Sequence, residues 1–368
     1  MSELEYTEQG WRMTTDSGRH HREKGWDYKG RGIYLVTLVV AERYPLFGKL
    51  QGDSPDEAYI ALSSFGENVL DILQSIPEYR KQRGYNLQIL ASYIMPDHIH
   101  IVIHVLEPMP RSIGTVIRGF KSACTALFKK DYADTGGKHA AKVHDDNAVH
   151  FSRMLTRIGS IWEQDRSGYH ERVLHKDGQL DTMIHYIKDN PRRLWLKRAN
   201  PDLFRIHQQT SVGGVLCTTL GNMFLAENPM REALHCSRSL TQAEIDRLKE
   251  ECLIKAANGI IYISPAVAEG EKQICRALRE AGYPLIILLS EGFPAPDSPH
   301  YKYYKPSGVY FEACAMGRLL LIEPDVALFE RKDIEEKVYA QTGPIPHTTK
   351  RYRFLAQNAI AELISNTK

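Results

Sequence analysis

The sequence has no closely spaced cysteines. Its six, Cys124, Cys217, Cys236, Cys252, Cys275 and Cys314, lie far apart in 368 residues and form no C-x-x-C pair. That excludes a zinc knuckle, a dithiol redox motif and a disulfide-stapled miniprotein, and leaves reduced core thiols as the expectation. No apolar run approaches the roughly 18 residues of a membrane span, and the polar stretch Met1–Arg31 has no apolar signal segment. The expectations are a cytoplasmic protein and no membrane partner. Net charge is small as well: 47 basic against 45 acidic residues leave +2, which as a total argues for neither nucleic acid nor membrane. Neither G-x-G-x-x-G nor a Walker A loop occurs. What is present is ordinary globular material, 43% hydrophobic and 25% charged, in a length that suggests two domains.

The charge is unevenly placed. Residues 111–200 carry 17 Lys and Arg against 10 Asp and Glu, whereas 201–368 carry 19 against 20. The first half therefore holds a candidate phosphate-binding surface, with a solvated face as the plainer explanation. Residues 1–31, with the basic stretch 18–25, show no helical or strand period and are expected to be a flexible arm. Residues 33–40 are β-branched and apolar, predicting a central strand, and a helical pattern follows from Glu57 to about Ile76. Residues 85–94 and 98–105 predict two strands joined by Met95-Pro96-Asp97 as a tight hairpin. A helix is expected over 112–130, a loop over 131–150, a short strand within 160–174 and a further helix after Gly178. This order predicts an α+β domain over 32–200, an antiparallel sheet with helices mainly on one face. A linker over 201–220 is expected, and then alternating strands and helices over 221–368: an α/β, Rossmann-like domain.

His98-Ile99-His100 falls on the second hairpin strand, where residues two apart share a face, so both imidazoles can converge on one divalent cation. Alone this means little, since 15 histidines in 368 residues produce an H-x-H pair by chance about 0.6 times. About ninety residues later comes Ile184-His185-Tyr186-Ile187, followed by Lys188, Asp189, Asn190 and Pro191. On a helix Tyr186 and Asn190 share a face, which lets a phenol and an amide oxygen approach one ion. A phenol is mostly protonated at neutral pH, so as a nucleophile it needs a cation on the phosphate it attacks. The residue types alone leave other roles open: half-buried strand histidines, a core tyrosine beside Ile187, and a helix-ending Asn190 held by Pro191.

The two motifs together resemble those of the single-tyrosine HUH transposases, and within them the REP-associated tyrosine transposases. These pair a hairpin M-P-[DN]-H-hydrophobic-H with a later helix Y-[IV]-x-x-N-P. Residues 113–121 and Ile161-Trp162 sit where related segments are expected, and the resemblance covers about Gly32 to Arg198. It implies a ferredoxin-like or RRM-like sheet and a metal-dependent enzyme using Mg2+ or Mn2+ held by His98, His100 and Asn190. Tyr186 would attack single-stranded DNA near a hairpin or palindromic repeat, leaving a 5′-phosphotyrosine and a free 3′-hydroxyl for rejoining. Arg118, Lys121, Arg192, Arg193 and Lys197 are candidate phosphate contacts, and Trp162, with Tyr169 or Trp195, a candidate platform for unpaired bases. The alternatives are a hairpin-binding regulator or domesticated HUH protein, and a replication or conjugation nickase. A homodimer is left open.

In the second half, Ile260–Ser264 followed by residues 265–272 would place a loop and free backbone N–H groups at a helix start, suited to a nucleotide or another anion. With Ser290–Phe293, Lys305–Gly308 and Phe311–Gly317, this half distantly resembles the Rossmann-like folds of DNA-processing protein A and lysine-decarboxylase-like nucleotide-binding proteins.

Overall fold

In the computed structural model the described residues are 3–7, 10–14, 23, 25–130, 159–163, 169–298, 301, 304–306 and 308–365. The expected loop 131–150 lies outside them, as does the basic stretch 18–25 apart from Glu23 and Gly25. The chain divides into two compact units, 18–196 and 197–368, with residues 1–17 grouped with the second.

The first unit is built on a four-stranded antiparallel sheet of β1 (Gly32–Val39), β2 (Leu87–Ile94), β3 (His98–Val105) and β4 (His170–Val173), in the order β2-β3-β1-β4. Period-two alternation divides its side chains between two faces. Ile99, Ile101, Ile103 and Val105 of β3, with Tyr34, Val36 and Leu38 of β1, enter the main core beneath helices α1 (Ser64–Lys81) and α2 (Ile113–Phe128). Those helices present Phe65, Val69, Leu73 and Ile76, and Ile113, Val116, Ile117, Phe120 and Cys124, at helical spacing. On the opposite face a smaller cluster of Val102, Leu35, Ile33 and Ala91 receives α3 (Gln179–Lys188) through Leu180, Met183, Ile184 and Ile187. The α+β architecture is as expected, with α3 on the face opposite α1 and α2.

Three local expectations change. The helix placed at Glu57 starts at Ser64, where Ser63 caps it by accepting from Gly66 N at 3.1 Å. The residues before it form the ribbon Gly48–Gln51 with Tyr59–Leu62. Residues 1–31 are not a structureless arm: Glu3–Thr7 pairs with Gly10–Thr14 as a hairpin. Tyr28 is buried in the main core, and its carbonyl accepts from Ile113 N at 3.0 Å. Nor is 201–220 a linker, because β5 (Ile206–Val212) and β6 (Val215–Gly221) are sheet strands whose Val212, Val215 and Cys217 are buried.

The second unit has a mixed six-stranded sheet. β7 (Arg231–Ala233), β8 (Ile261–Ser264), β9 (Leu285–Leu288) and β10 (Leu319–Pro324) run parallel, and β6 and β5 continue antiparallel beyond β10. All four residues of β8 and of β9 are buried, the mark of strands covered on both faces. The anion cradle expected at residues 265–272 is filled from within. Val267 N and Ala268 N both donate to Glu271 Oε2, at 2.8 and 3.1 Å, and Ala266 N donates to Ser264 Oγ at 2.9 Å. A buried carboxylate therefore occupies the position that an anion would take.

No helix among the described residues is long and apolar enough to cross a membrane. All six cysteines are free and buried, and burial, helped by the charge of Asp325, pushes the Cys217 thiol up to about 12. Thiolate is the reactive form. At pH 8 the folded protein should show no prompt reaction with an aromatic disulfide, and six equivalents after denaturation. Rapid modification of two or more thiols in the folded state would refute this burial.

Candidate active site

β3 starts immediately after the turn at Pro96 and Asp97, so its first residues stand at one end of the sheet. His98 and His100 alternate with core-facing Ile99, and their rings lie 4.8 Å apart at 87°. Asp97 Oδ1 accepts from His98 Nδ1 at 2.6 Å. Thr37, directly opposite His100 in the β1–β3 register, places Oγ1 2.9 Å from His100 Nδ1. With each Nδ1 engaged, Nε2 is the nitrogen through which either ring can ligate. Such carboxylate and hydroxyl partners set the tautomer of a ligating imidazole. The donors fit a divalent cation on that ground. No group of three or more His, Cys, Asp or Glu suited to a metal occurs among the described residues, so amide, water or substrate oxygen would have to complete the shell.

Asp97 is held between His98 and Arg43. Burial alone would raise its carboxyl, but the hydrogen bond and charge of His98, joined by the charge and hydrogen bond of Arg43, hold it below the usual carboxylate range. Arg43 Nη1 donates to Asp97 Oδ2 at 3.4 Å. It does so from a tight turn in which Glu42 and Arg43 both adopt left-handed conformations, φ 56° and 55°. For residues with side chains this costs on the order of 1–3 kcal/mol each and persists where surrounding structure enforces it. Here Val40 N donates to Asp97 O at 2.9 Å and Ala41 N to Ile161 O at 2.9 Å, pinning the turn against the hairpin.

The stripe that docks α3 on the sheet sets the height of Tyr186, whose ring centroid lies 6.0 Å from that of His100 at 70°. Arg193 is buried, with Cζ 5.2 Å from the centroid of the Tyr186 ring. Asn190 opens α4 (Asn190–Ala199) and is 3% exposed, and its Nδ2 donates to Ile187 O at 3.4 Å. That bond caps the last turn of α3, so Oδ1 is the atom through which Asn190 can reach a cation. Two histidines and the tyrosine are thus brought together, with Asn190 one helical junction away.

The expected DNA contacts divide. Trp162 is fully buried between Phe47 and Phe120, and its Nε1 donates to Lys121 O at 3.0 Å. Both ring faces are in the core, so it is not a platform for bases, and Tyr169 is buried likewise. Trp195 Nε1 donates to Gly52 O at 3.1 Å, which fixes α4 to the ribbon. Arg192 forks onto Asp189 at 2.6 and 3.3 Å and is neutralised there. Arg193 lies under Tyr186 rather than at the surface. Arg118 is exposed, while Lys121 and Lys197 are half-buried. Thr37, Asp97 and Arg43 are the residues that sequence reasoning missed. Only Asp97 left a signal, its place inside the turn motif.

The class defined so far is an α+β unit with two imidazoles and a phenol on one face of an antiparallel sheet. No family model matches the chain. An uncharacterised protein of Haemophilus influenzae is 24% identical over 185 residues, 49% of this chain and 94% of that protein. Two solved structures align with 46% of the chain. One, from Deinococcus radiodurans R1 and provisionally described as a transposase, is 15% identical with TM-score 0.26 and is covered to 96%. The other, a REP-associated tyrosine transposase bound to a REP hairpin, is 14% identical with TM-score 0.25 and is covered to 72%.

Proposed function

We propose that residues 32–200 form a metal-dependent transposase that cleaves and rejoins single-stranded, hairpin-forming DNA through a 5′-phosphotyrosine on Tyr186. The observation that carries this reading is the convergence of Tyr186 on His100, and of His100 on His98, across one sheet face. His98 and His100, with Asn190 Oδ1, would hold Mg2+ or Mn2+, which would supply positive charge to offset the charge developing on the scissile phosphate. Tyr186 Oη attacks phosphorus and loses its proton. The 3′ oxygen of the upstream nucleotide leaves and is protonated, and the phosphate ester is conserved on tyrosine for the reverse attack by a 3′-hydroxyl. Arg193, beneath the Tyr186 ring, places positive charge beside the developing phenolate and holds the ring in position.

A hairpin oligonucleotide with a single-stranded flank, labelled at its 3′ end, is incubated with the protein and Mg2+ or Mn2+. The expected result is a labelled, denaturation-resistant protein band and an upstream fragment whose 3′ end a polymerase extends. Chelator abolishes both. Retained binding without any adduct would overturn the enzyme reading and leave a hairpin-binding regulator.

A further inference from the structure

We infer that the surface where the C-terminus of α1 meets α2 is a second DNA contact, which takes the phosphodiester backbone of the duplex stem. This inference rests on the reading of the first unit as a hairpin-processing enzyme. Residues 79–83, Tyr-Arg-Lys-Gln-Arg, carry three cations and no acid. Arg80 Nη2 donates to Thr115 O at 3.5 Å and Arg118 Nη2 donates to Thr115 Oγ1 at 3.2 Å, so two guanidiniums from different helices converge on one threonine. The Arg80 guanidinium lies against Gly119, where an added Cβ would displace it. Arg83 lies with Cζ 4.0 Å from the centroid of the exposed Tyr79 ring. Among the described residues, Arg80, Lys81, Arg83 and Arg118 form no ion pair. Like charges held together with no counter-charge between them are an arrangement that an anion completes.

Position selects the duplex stem over the unpaired flank. One face of the exposed Tyr79 ring is covered by Arg83 and Tyr85 is buried, so cations rather than stacking rings dominate the patch. The patch stands far from the chemistry. The chain leaves α1 for Leu87, which pairs with Val105, whereas the site is at His98. Seven residues of strand separate them, about 24 Å at 3.4 Å per residue. That is roughly seven base-pair steps of a duplex. α1 packs along β2, an edge strand, so a stem lying against that edge can reach the patch while its flank reaches Tyr186.

The test is binding in a Tyr186→Phe background, measured from 50 to 200 mM salt on three oligonucleotides: a long-stem hairpin, a hairpin with a four-pair stem, and the single-stranded flank alone. The variant is Lys81→Gln/Arg83→Gln/Arg118→Gln, all exposed positions that leave the Arg80 crossing intact. Each lost phosphate contact removes about 0.9 from the salt slope, so three losses make the fall in affinity over that range about 40-fold smaller. This is expected for the long stem only. An unchanged slope on the long stem, or an equal change on the flank alone, overturns the inference. Adduct formation by the otherwise wild-type protein is read separately. A stem-dependent slope without an adduct sinks the transferase reading and leaves this surface standing, whereas an adduct with an unchanged slope does the reverse.

Discussion

Tyr186→Phe is expected to abolish the covalent DNA adduct and to lower strand cleavage by a factor of at least roughly 10^4, the scale on which loss of a covalent nucleophile acts. The substitution removes one oxygen and keeps the ring. Tyr186 packs at the margin of the cluster that seats α3 on the sheet, and Phe preserves that contact and the cation beneath it. Folding should therefore be unaffected, and binding of the hairpin should stay within about 3-fold of wild type, an allowance of less than 1 kcal/mol. The measurement is adduct yield on a denaturing gel beside a binding isotherm for the same hairpin. Adduct formation by the Phe variant at wild-type yield would move the nucleophile elsewhere. Tyr93 would be examined next, since it stands directly opposite His100 on β2, on the same face.

The parts of this site that could be read from sequence are those encoded by short spacings. H-x-H on a strand gives two imidazoles on one face whatever the rest of the fold does, and the hairpin turn before it places them at a sheet end. Tyr186 was legible through its four-residue spacing to Asn190 and the Y-[IV]-x-x-N-P motif, while the stripe of Leu180, Met183, Ile184 and Ile187 is what seats its helix on the sheet. Thr37 was not, because it reaches His100 only through the register of two strands sixty-three residues apart. Arg43 was hidden for another reason. Nothing in the run from Val40 to Tyr44 announces two consecutive left-handed residues, whose conformation is imposed by hydrogen bonds to Asp97 and Ile161. Aromatic content misled at Trp162: an indole near a basic helix suits a stacked base, but the same ring fills the space between Phe47 and Phe120. The stretch 201–220 looked like a linker because residues 200–214 show no clear period and contain Pro, Gly and Ser, although residues 206–221 supply two antiparallel strands, β5 at the sheet edge. The anion cradle was misread similarly, since a Glu three residues into a helix can satisfy the N–H groups that an external anion would need.

The second large effect is expected at Asp97. Its Oδ1 accepts the Nδ1 proton of His98 and its Oδ2 accepts from Arg43, so one carboxylate sets the tautomer of a candidate ligand and ties it to the strained turn. Asp97→Ala removes the acceptor and frees the imidazole to rotate or to carry its proton on the wrong nitrogen. Affinity for Mn2+ should then fall by about 10–100-fold, the usual consequence of losing an outer partner of a metal-bound histidine. Arg43→Ala acts one step further out: Asp97 keeps its place but loses a cation and a donor, so a smaller loss is expected, with partial recovery in Arg43→Lys, which restores the charge without the fork. The readout is Mn2+ titration by calorimetry or by paramagnetic relaxation of water, with His98→Ala as the reference for complete loss of one ligand. Two outcomes would separate this relay from mere support of the fold. If Asp97→Ala binds Mn2+ as the wild type does, the carboxylate does not orient His98. If Arg43→Ala and Arg43→Lys are equally impaired, the charge of Arg43 is irrelevant and the left-handed turn itself is what holds the hairpin in place.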